Sequence, residues 1–168
     1  MNAGLLLVRL ILGVSFLAHG TQKLFGWFGG HGLDGTGGFM ESLGFRPGKA
    51  YALAAGLCEA GGGLLLALGF LGPVGPGLIV VAMVVAMATV HWKNGYFATA
   101  NGVELPLVSA TGAMAIAFGG PGAYALDVLL GVQLSAPAAP WIALAVALVI
   151  AAATVATRRQ ARVAHAST

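Results

Sequence analysis

The sequence predicts an all-α protein, a polytopic transmembrane helical bundle. Three observations lead to this class. Hydrophobic residues make up 58% of the 168 residues and charged residues only 8%, against roughly 25% charged residues in an average soluble domain. The apolar residues fall into five long runs separated by glycine, proline and polar residues. None of the runs alternates strictly between apolar and polar residues, which is the pattern of a membrane β-barrel.

Each of the five runs is predicted to form a transmembrane helix. A helix needs about 20 residues to cross the hydrocarbon; the first, second and fifth runs reach or nearly reach that length, and the third reaches it with one more residue at each end. The fourth is short, at about 22 Å on the usual rise per residue. The runs are Gly4–Gly26, Ala50–Leu71, Gly75–His91, Leu105–Gly119 and Pro140–Thr157.

The basic residues predict the orientation of these helices. If all five runs cross the bilayer and the N-terminus lies outside, the outer loops at about 72–75 and 120–139 contain no Lys or Arg. This is the asymmetry that the positive-inside rule describes, so we expect a cytoplasmic C-terminus. Only Arg9 then lies elsewhere. The residues that would face the cytoplasm are Lys23, Arg46, Lys49, Lys93, Arg158, Arg159 and Arg162.

The long loop after the first run is rich in glycine and ends in an apolar pattern. Phe39, Met40, Leu43 and Phe45 are spaced so that they form one face of a short helix. We expect this helix to lie on the inner surface of the membrane.

Ionisable residues within the apolar runs are the first candidates for a site. A charge at the centre of a bilayer costs about 2.5–3.5 kcal/mol, so such residues normally face a partner or a cavity. At ~100° per residue, Arg9 and Lys23 share one side of the first helix, with His19 about 80° from Arg9. The depths predict that Arg9 pairs with Glu59 of the second helix and that His19 approaches this pair. His91 ends the third run.

Small residues surround Glu59 in the second run. Ala55, Gly56 and residues 60–63 allow two helix backbones to approach closely, so we expect the first two helices to pack tightly here. Cys58 is rotated ~100° from Glu59 and is predicted to be a buried, inert thiol.

Two interpretations of these charges remain open. An ion pair between Arg9 and Glu59 can lock two helices together without any chemistry. Alternatively, one acid that faces two or three bases leaves a surplus of positive charge, which favours an anionic or carbonyl-bearing ligand such as a quinone head group. The polar stretch 91–107 has the same two interpretations: an interfacial turn built on Asn-Gly pairs or the rim of a site that faces the cytoplasm.

Three blocks of the sequence resemble the DoxX family of small bacterial membrane proteins. They are RLILGVSFLAHGTQKLFGWFGGHGLDGTGGFMESLGF, AGLCEAGGGLLLALGF and HWKNGYFATANGVELPL. The resemblance covers about residues 5–130 and implies a four-helix DoxX-like core at 1–130 in the bacterial cytoplasmic (inner) membrane. Residues 131–168 are then an extension with an additional C-terminal transmembrane helix and a basic tail.

The resemblance implies membrane redox chemistry. Members of the DoxD type are linked to thiosulfate:quinone oxidoreductase, and members of the DoxX type to oxidoreductase complexes with superoxide dismutase and a thiosulfate sulfurtransferase. This chain has one cysteine and therefore no CxxC redox pair, so electrons would pass through a quinone or a partner. The family positions carried over are Arg9, His19, Gly20, Lys23, Glu59, His91, Asn101, Gly102 and Glu104.

The leading prediction is a membrane subunit that binds a quinone or anchors a soluble oxidoreductase or sulfurtransferase. The predicted catalytic residues are His19, Glu59 and His91. The predicted ligand-binding residues are Arg9, Lys23, Asn101 and Glu104. Neither a metal site nor a nucleic-acid partner is predicted, and a homo-oligomer is left open. The alternatives are a non-catalytic scaffold for a partner enzyme and a small-solute or lipid transporter, which the lack of an inverted repeat disfavours.

Overall fold

The computed structural model describes residues 2–132 and 136–159. Over this part of the chain the protein has seven α-helices and no strands, which confirms the predicted all-α class. The segment of the predicted basic tail that includes Arg162 lies outside the described residues. The helices are α1 (Asn2–Phe25), α2 (Gly32–Ser42), α3 (Gly48–Leu68), α4 (Val74–Ala86), α5 (Glu104–Gly119), α6 (Leu126–Leu130) and α7 (Ala139–Ala156).

Four helices in the described residues are long and apolar enough to cross a membrane, which confirms a multi-pass membrane protein. They are α1, α3, α7 and the continuous helix Val74–Asn94, in which α4 is extended by a π-helical turn and a 3-10 turn. The fifth predicted crossing, α5, has 16 residues and is the shorter apolar helix.

The long helices alternate in direction, so the bundle has two ends. We call the end where α1 and α7 finish and α3 begins the inner end, and the opposite end the outer end. A hydrogen bond from Tyr51 to Thr157 joins the start of α3 to the end of α7 at the inner end. At the outer end, Arg9 near the start of α1 contacts Pro121, just beyond the end of α5. The described basic residues at the inner end are Lys23, Arg46, Lys49, Lys93, Arg158 and Arg159.

The contact between α1 and α3 is made by backbone against backbone. A Cβ atom added at Gly20 would lie 2.3 Å from the Ala60 nitrogen, and one added at Gly63 would lie 2.5 Å from the Gly13 oxygen. Real Cβ atoms cannot occupy those positions, so glycine is required for this approach. The predicted tight packing of the first two helices is confirmed.

The core lies between α1, α3, α4 and α5 and contains Phe16, Leu66, Ile79 and Ile116. Helix α4 also contacts α7, which packs outside this cluster. A short helix does follow the first run: α2 packs on α3 and α1 and contains Phe39 and Met40. Leu43 and Phe45, which were expected on the same helix face, lie beyond its end at Ser42. Helix α2 covers the inner end of the bundle beside the site described next.

Candidate functional site: a cavity at the inner end

An ion pair between Lys23 and Glu59 connects α1 to α3. Lys23 lies in the last turn of α1, three residues after the close contact at Gly20. Glu59 lies near the middle of α3 and is only 5% exposed. Because the two backbones touch at Gly20, the lysine side chain reaches the buried carboxylate across a short gap.

This ion pair lines a cavity of ≈ 290 Å³ at the inner end. The walls are mostly apolar and come from α2, α3, α4 and α7. The polar or reactive side chains on the wall are Lys23, Tyr51, Cys58, Glu59, Thr89, His91 and Thr154. An apolar cavity with a few convergent polar groups is the usual form of a small-molecule site.

His91 is placed on the cavity wall by a change in helix type. The α4 helix continues as a π-helical turn over Met87–His91, an irregularity that is frequent at functional sites. His91 Nδ1 lies 2.8 Å from the backbone oxygen of Asn101. A carbonyl oxygen can only accept, so Nδ1 carries the hydrogen and Nε2 is the nitrogen left for a ligand. Nε2 accepts when the ring is neutral and donates when the ring is protonated.

The loop after His91 supports this histidine instead of lining the cavity. Asn101 contributes its backbone oxygen, which also accepts a bond of 3.1 Å from Asn94 Nδ2. Glu104 Oε2 accepts a bond of 2.7 Å from the Ala98 nitrogen and so holds the loop in shape. Neither Asn101 nor Glu104 is among the residues that line the cavity.

Arg9 does not meet Glu59, so the predicted Arg9–Glu59 pair is wrong. The guanidinium is 1% exposed and donates to four backbone oxygens at the outer end. The two in α3 are those of Leu66 and Ala67, at 3.2 and 3.0 Å. Carbonyls in the last turn of a helix have no partner within the helix, and Arg9 supplies one. The other two oxygens belong to Pro121 and Tyr124, at 2.5 and 3.4 Å.

The antiparallel packing of α1 and α3 explains this error. Arg9 and Lys23 are separated by about 21 Å along α1, at ~1.5 Å for each residue. Lys23 lies beside Glu59, near the middle of α3. Because α3 runs in the opposite direction to α1, Arg9 lies beside the end of α3. The sequence pattern predicts the correct side of α1, but the base that pairs with Glu59 is Lys23 and not Arg9.

Asp127 is a buried acid that the sequence analysis missed. It lies in α6, within the stretch treated as an outer loop, and is 4% exposed. Its two oxygens accept bonds of 2.9 and 2.7 Å from the nitrogens of Leu71 and Gly72. An acid inside the apolar run LDVLL was the available signal. Asp127 fastens the turn between α3 and α4 at the outer end.

His19 lies outside the cavity, and the expectation that it approaches the Glu59 ion pair is wrong. The side chain is exposed, and Nδ1 lies 3.1 Å from Gln22 Oε1 on the same helix. His19 is rotated about 80° from Arg9 around the axis of α1, so its side chain is directed away from α3.

Cys58 was expected to be a buried thiol, and it is half-buried on the cavity wall. Within residues 2–132 and 136–159, no three His, Cys, Asp or Glu side chains are grouped so that they could hold a metal ion.

Fold and cavity together define a multi-pass helical membrane protein with a small-molecule-sized cavity beside a partly buried ion pair. The DoxX family profile matches residues 4–92, more than half of the chain, and the chain therefore belongs to the DoxX family. Lys23, Glu59 and His91 all lie within the matched range.

The chain is also similar to a named bacterial protein. The chain is 32% identical over 98 residues to a Bacillus subtilis (strain 168) protein named "Putative oxidoreductase CatD". The match covers 58% of this chain and 67% of the relative. No solved structure matches the chain.

Proposed function

We propose that this chain is a membrane subunit of a redox system and that its inner-end cavity binds the head group of a lipid-soluble quinone. The observation that carries this proposal is the combination of an apolar cavity, a Lys23–Glu59 pair with a buried carboxylate, and the side chain of His91 on one wall. Membership of the DoxX family and the oxidoreductase name of the relative support the redox class. The choice of ligand rests on the chemistry of the cavity.

The size of the cavity fits an aromatic ring with substituents. An apolar cavity of about 150 Å³ is enough to bind benzene, and this cavity is ≈ 290 Å³. Quinone carbonyls accept hydrogen bonds, and Lys23 has donors beyond the one that it gives to Glu59. Quinol hydroxyls also donate, and both Glu59 and neutral His91 can accept from them.

The long apolar tail of such a ligand also has a path to the lipid. A groove of ≈ 360 Å³ runs between α4 and α7. Val81 and Ile150 line both the groove and the cavity, so the two spaces adjoin. A tail in this groove would place apolar surface against apolar helices while the head group stays beside the ion pair.

The roles of the side chains follow from their chemistry. When bound, a quinone takes up two electrons and two protons to become the quinol. Lys23 holds and orients one carbonyl oxygen. His91 and Glu59 are the proton-exchanging side chains on the cavity wall that would give protons to the oxygens and regain them. The electrons would come from a soluble oxidoreductase that docks at the inner end.

The orientation is part of this proposal. The positive-inside rule assigns the inner end to the cytoplasm, because six described basic residues lie there. The membrane is then the bacterial cytoplasmic membrane, and the electron donor is a cytoplasmic enzyme.

A non-catalytic scaffold for a partner enzyme is the second candidate. It is favoured by the exposed aromatic side chains of Trp92, Tyr96 and Phe97 in the loop at the inner end. A scaffold would retain its partner but would not bind quinone in a way that depends on the cavity.

The test is saturable binding of a decyl-substituted quinone to the full-length protein in lipid nanodiscs. The variants are Lys23→Met/Glu59→Leu, which removes both charges of the cavity, and Lys49→Gln/Asp34→Asn, which removes an ion pair that is 72% and 84% exposed at the same end. Replacing both partners of a buried pair by apolar residues is often neutral for stability. We expect the first variant to fold and to bind at least tenfold more weakly, and the control to bind normally. Equal affinity in both variants, or no saturable binding at all, would refute the proposal.

A further inference from the structure

We propose that an arginine-lined cleft at the inner end binds the phosphate of an anionic phospholipid head group. This arginine cleft lies between the α2–α3 connection and the end of α7 and has a volume of ≈ 530 Å³. It adjoins the quinone cavity at Leu43, which lines both spaces, but it has its own charged lining and does not depend on what that cavity binds. Its lining residues are Glu41, Ser42, Leu43, Gly44, Arg46, Arg158 and Arg159.

The cleft carries excess positive charge. Three arginines and one carboxylate line it, which leaves a net charge of +2 (three minus one). The carboxylate is already engaged, because Glu41 Oε1 accepts a bond of 3.2 Å from the Gly48 nitrogen. The excess positive charge attracts an anion, and the three arginines are exposed and able to contact one.

The side chain of Arg158 and the backbone of Arg159 are held in place by contacts between α7 and the α2–α3 connection. Arg158 Nε donates to the Leu43 oxygen at 2.8 Å, and the Arg159 nitrogen donates to the Gly44 oxygen at 2.9 Å. The Arg158 guanidinium also lies 5.9 Å from the centre of the Phe45 ring. With Nε occupied, the two terminal nitrogens of Arg158 are left, and they form the fork that matches a phosphate.

The depth of the cleft favours a lipid over a soluble anion. The apolar span of α3 begins at Gly48 and that of α7 ends at Ala156. Arg46 precedes the first span by two residues, and Arg158 follows the second by two residues. The arginines thus lie just beyond the hydrocarbon, at the level of phospholipid head groups. Basic pockets between membrane helices are known binding sites for anionic lipids.

Binding would join two parts of the bundle. One phosphate that contacts Arg46 and Arg158 would link the start of α3 to the end of α7, reinforcing the existing hydrogen bond between Tyr51 and Thr157. Anionic lipid would then stabilise the position of α7 on α4.

Native mass spectrometry of the full-length protein in detergent tests this site, with dioleoylphosphatidylglycerol as the probe and dioleoylphosphatidylcholine as the neutral reference. The site variant is Arg46→Gln/Arg159→Gln, which leaves the Arg158–Leu43 hydrogen bond intact. The control is Lys49→Gln/Lys93→Gln, which removes the same charge from the same end outside the cleft. At about fivefold for each arginine near the surface, we expect a loss of roughly 30-fold in the site variant and a much smaller loss in the control.

Each other outcome would overturn the lipid site. Equal losses in both variants would mean general charge attraction. Equal retention of phosphatidylcholine, in which choline balances the charge of the phosphate, would mean that the net negative charge of the head group is not recognised. Displacement of phosphatidylglycerol by inorganic phosphate at equal concentration would identify a site for the free anion. Displacement by an equal concentration of a decaglutamate peptide would identify a docking surface for an acidic protein. An intact thermal transition of the site variant, and a smaller loss of lipid in the single variant Arg46→Gln, check that the loss is not caused by unfolding.

Discussion

Lys23 and Glu59 form an ion pair that is at once a contact between two helices and part of a cavity wall. As a contact it contributes little net stability, because the cost of removing both charges from water offsets their attraction. As part of the cavity wall, it places a hydrogen-bond donor (Lys23) and an acceptor (Glu59) beside the apolar interior of the cavity. The same two side chains therefore hold the helices in register and present polar atoms to a ligand.

The two histidines near the inner end give a matched comparison. His91 lines the cavity, whereas His19 is exposed and bonded to Gln22 on its own helix. We expect His91→Gln to weaken quinone binding about tenfold, the loss of roughly one hydrogen bond, and His19→Gln to leave it unchanged. The affinities of both variants in nanodiscs check this. A larger effect of His19→Gln than of His91→Gln would indicate that the ligand binds on the exposed side of α1 and not in the cavity.

The groove between α4 and α7 predicts a dependence on tail length. Val146 lines the groove, whereas Val149, also on α7, does not. We expect Val146→Phe to weaken binding of a decyl-substituted quinone severalfold, because the added ring fills the groove. The affinity of a quinone without a tail should stay the same, and Val149→Phe should change neither. Loss of the tailless ligand as well would indicate that Val146→Phe deforms the cavity itself.

Much of the fold could be predicted because membrane helices leave a strong signal in sequence. The apolar runs, the small residues around Glu59 and the short helix after the first run were all recovered. The partner of Arg9 was not recoverable, because its acceptors are backbone oxygens, which every residue has. The geometry of His91 was also hidden, since a π-helical turn has no distinct sequence pattern.

The candidate site was predicted in part for the same reason. Lys23, Glu59 and His91 belong to the cavity because ionisable residues in apolar runs must face something polar or open. Tyr51, Cys58 and Thr89 were not assigned to it. Their residue types are common in ordinary helix packing, so only the three-dimensional arrangement identifies them as wall residues.

The close contact of α1 and α3 predicts a sharp difference between two glycines. A Cβ at Gly20 would meet backbone at 2.3 Å, whereas one at Gly61 would meet nothing within 4 Å. We expect Gly20→Ala to lower the free energy of unfolding by about 1–3 kcal/mol, the usual cost of overpacking. Gly61→Ala should be neutral or slightly stabilising, because alanine favours the helix. Denaturant titration in detergent measures both, and equal stabilities would contradict the contact.

Arg9 is predicted to matter for stability and not for the ligand. Arg9→Met would leave buried backbone oxygens without a donor, at a cost of about 1–3 kcal/mol. The affinity for quinone in nanodiscs should be unchanged, since Arg9 lies at the outer end. A variant of normal stability with weakened quinone binding would restore the direct link between Arg9 and Glu59.

The location of the ligand is the central claim, and photo-cross-linking with an azido-quinone tests it most directly. The reagent would be activated on the full-length protein in nanodiscs, and the labelled residues identified by mass spectrometry. We predict adducts on cavity residues such as Met40, Cys58 and Val85, suppressed by excess unmodified quinone. Adducts spread over the outer end or the lipid-facing surface, or labelling that unmodified quinone does not suppress, would contradict a quinone site beside Lys23 and Glu59.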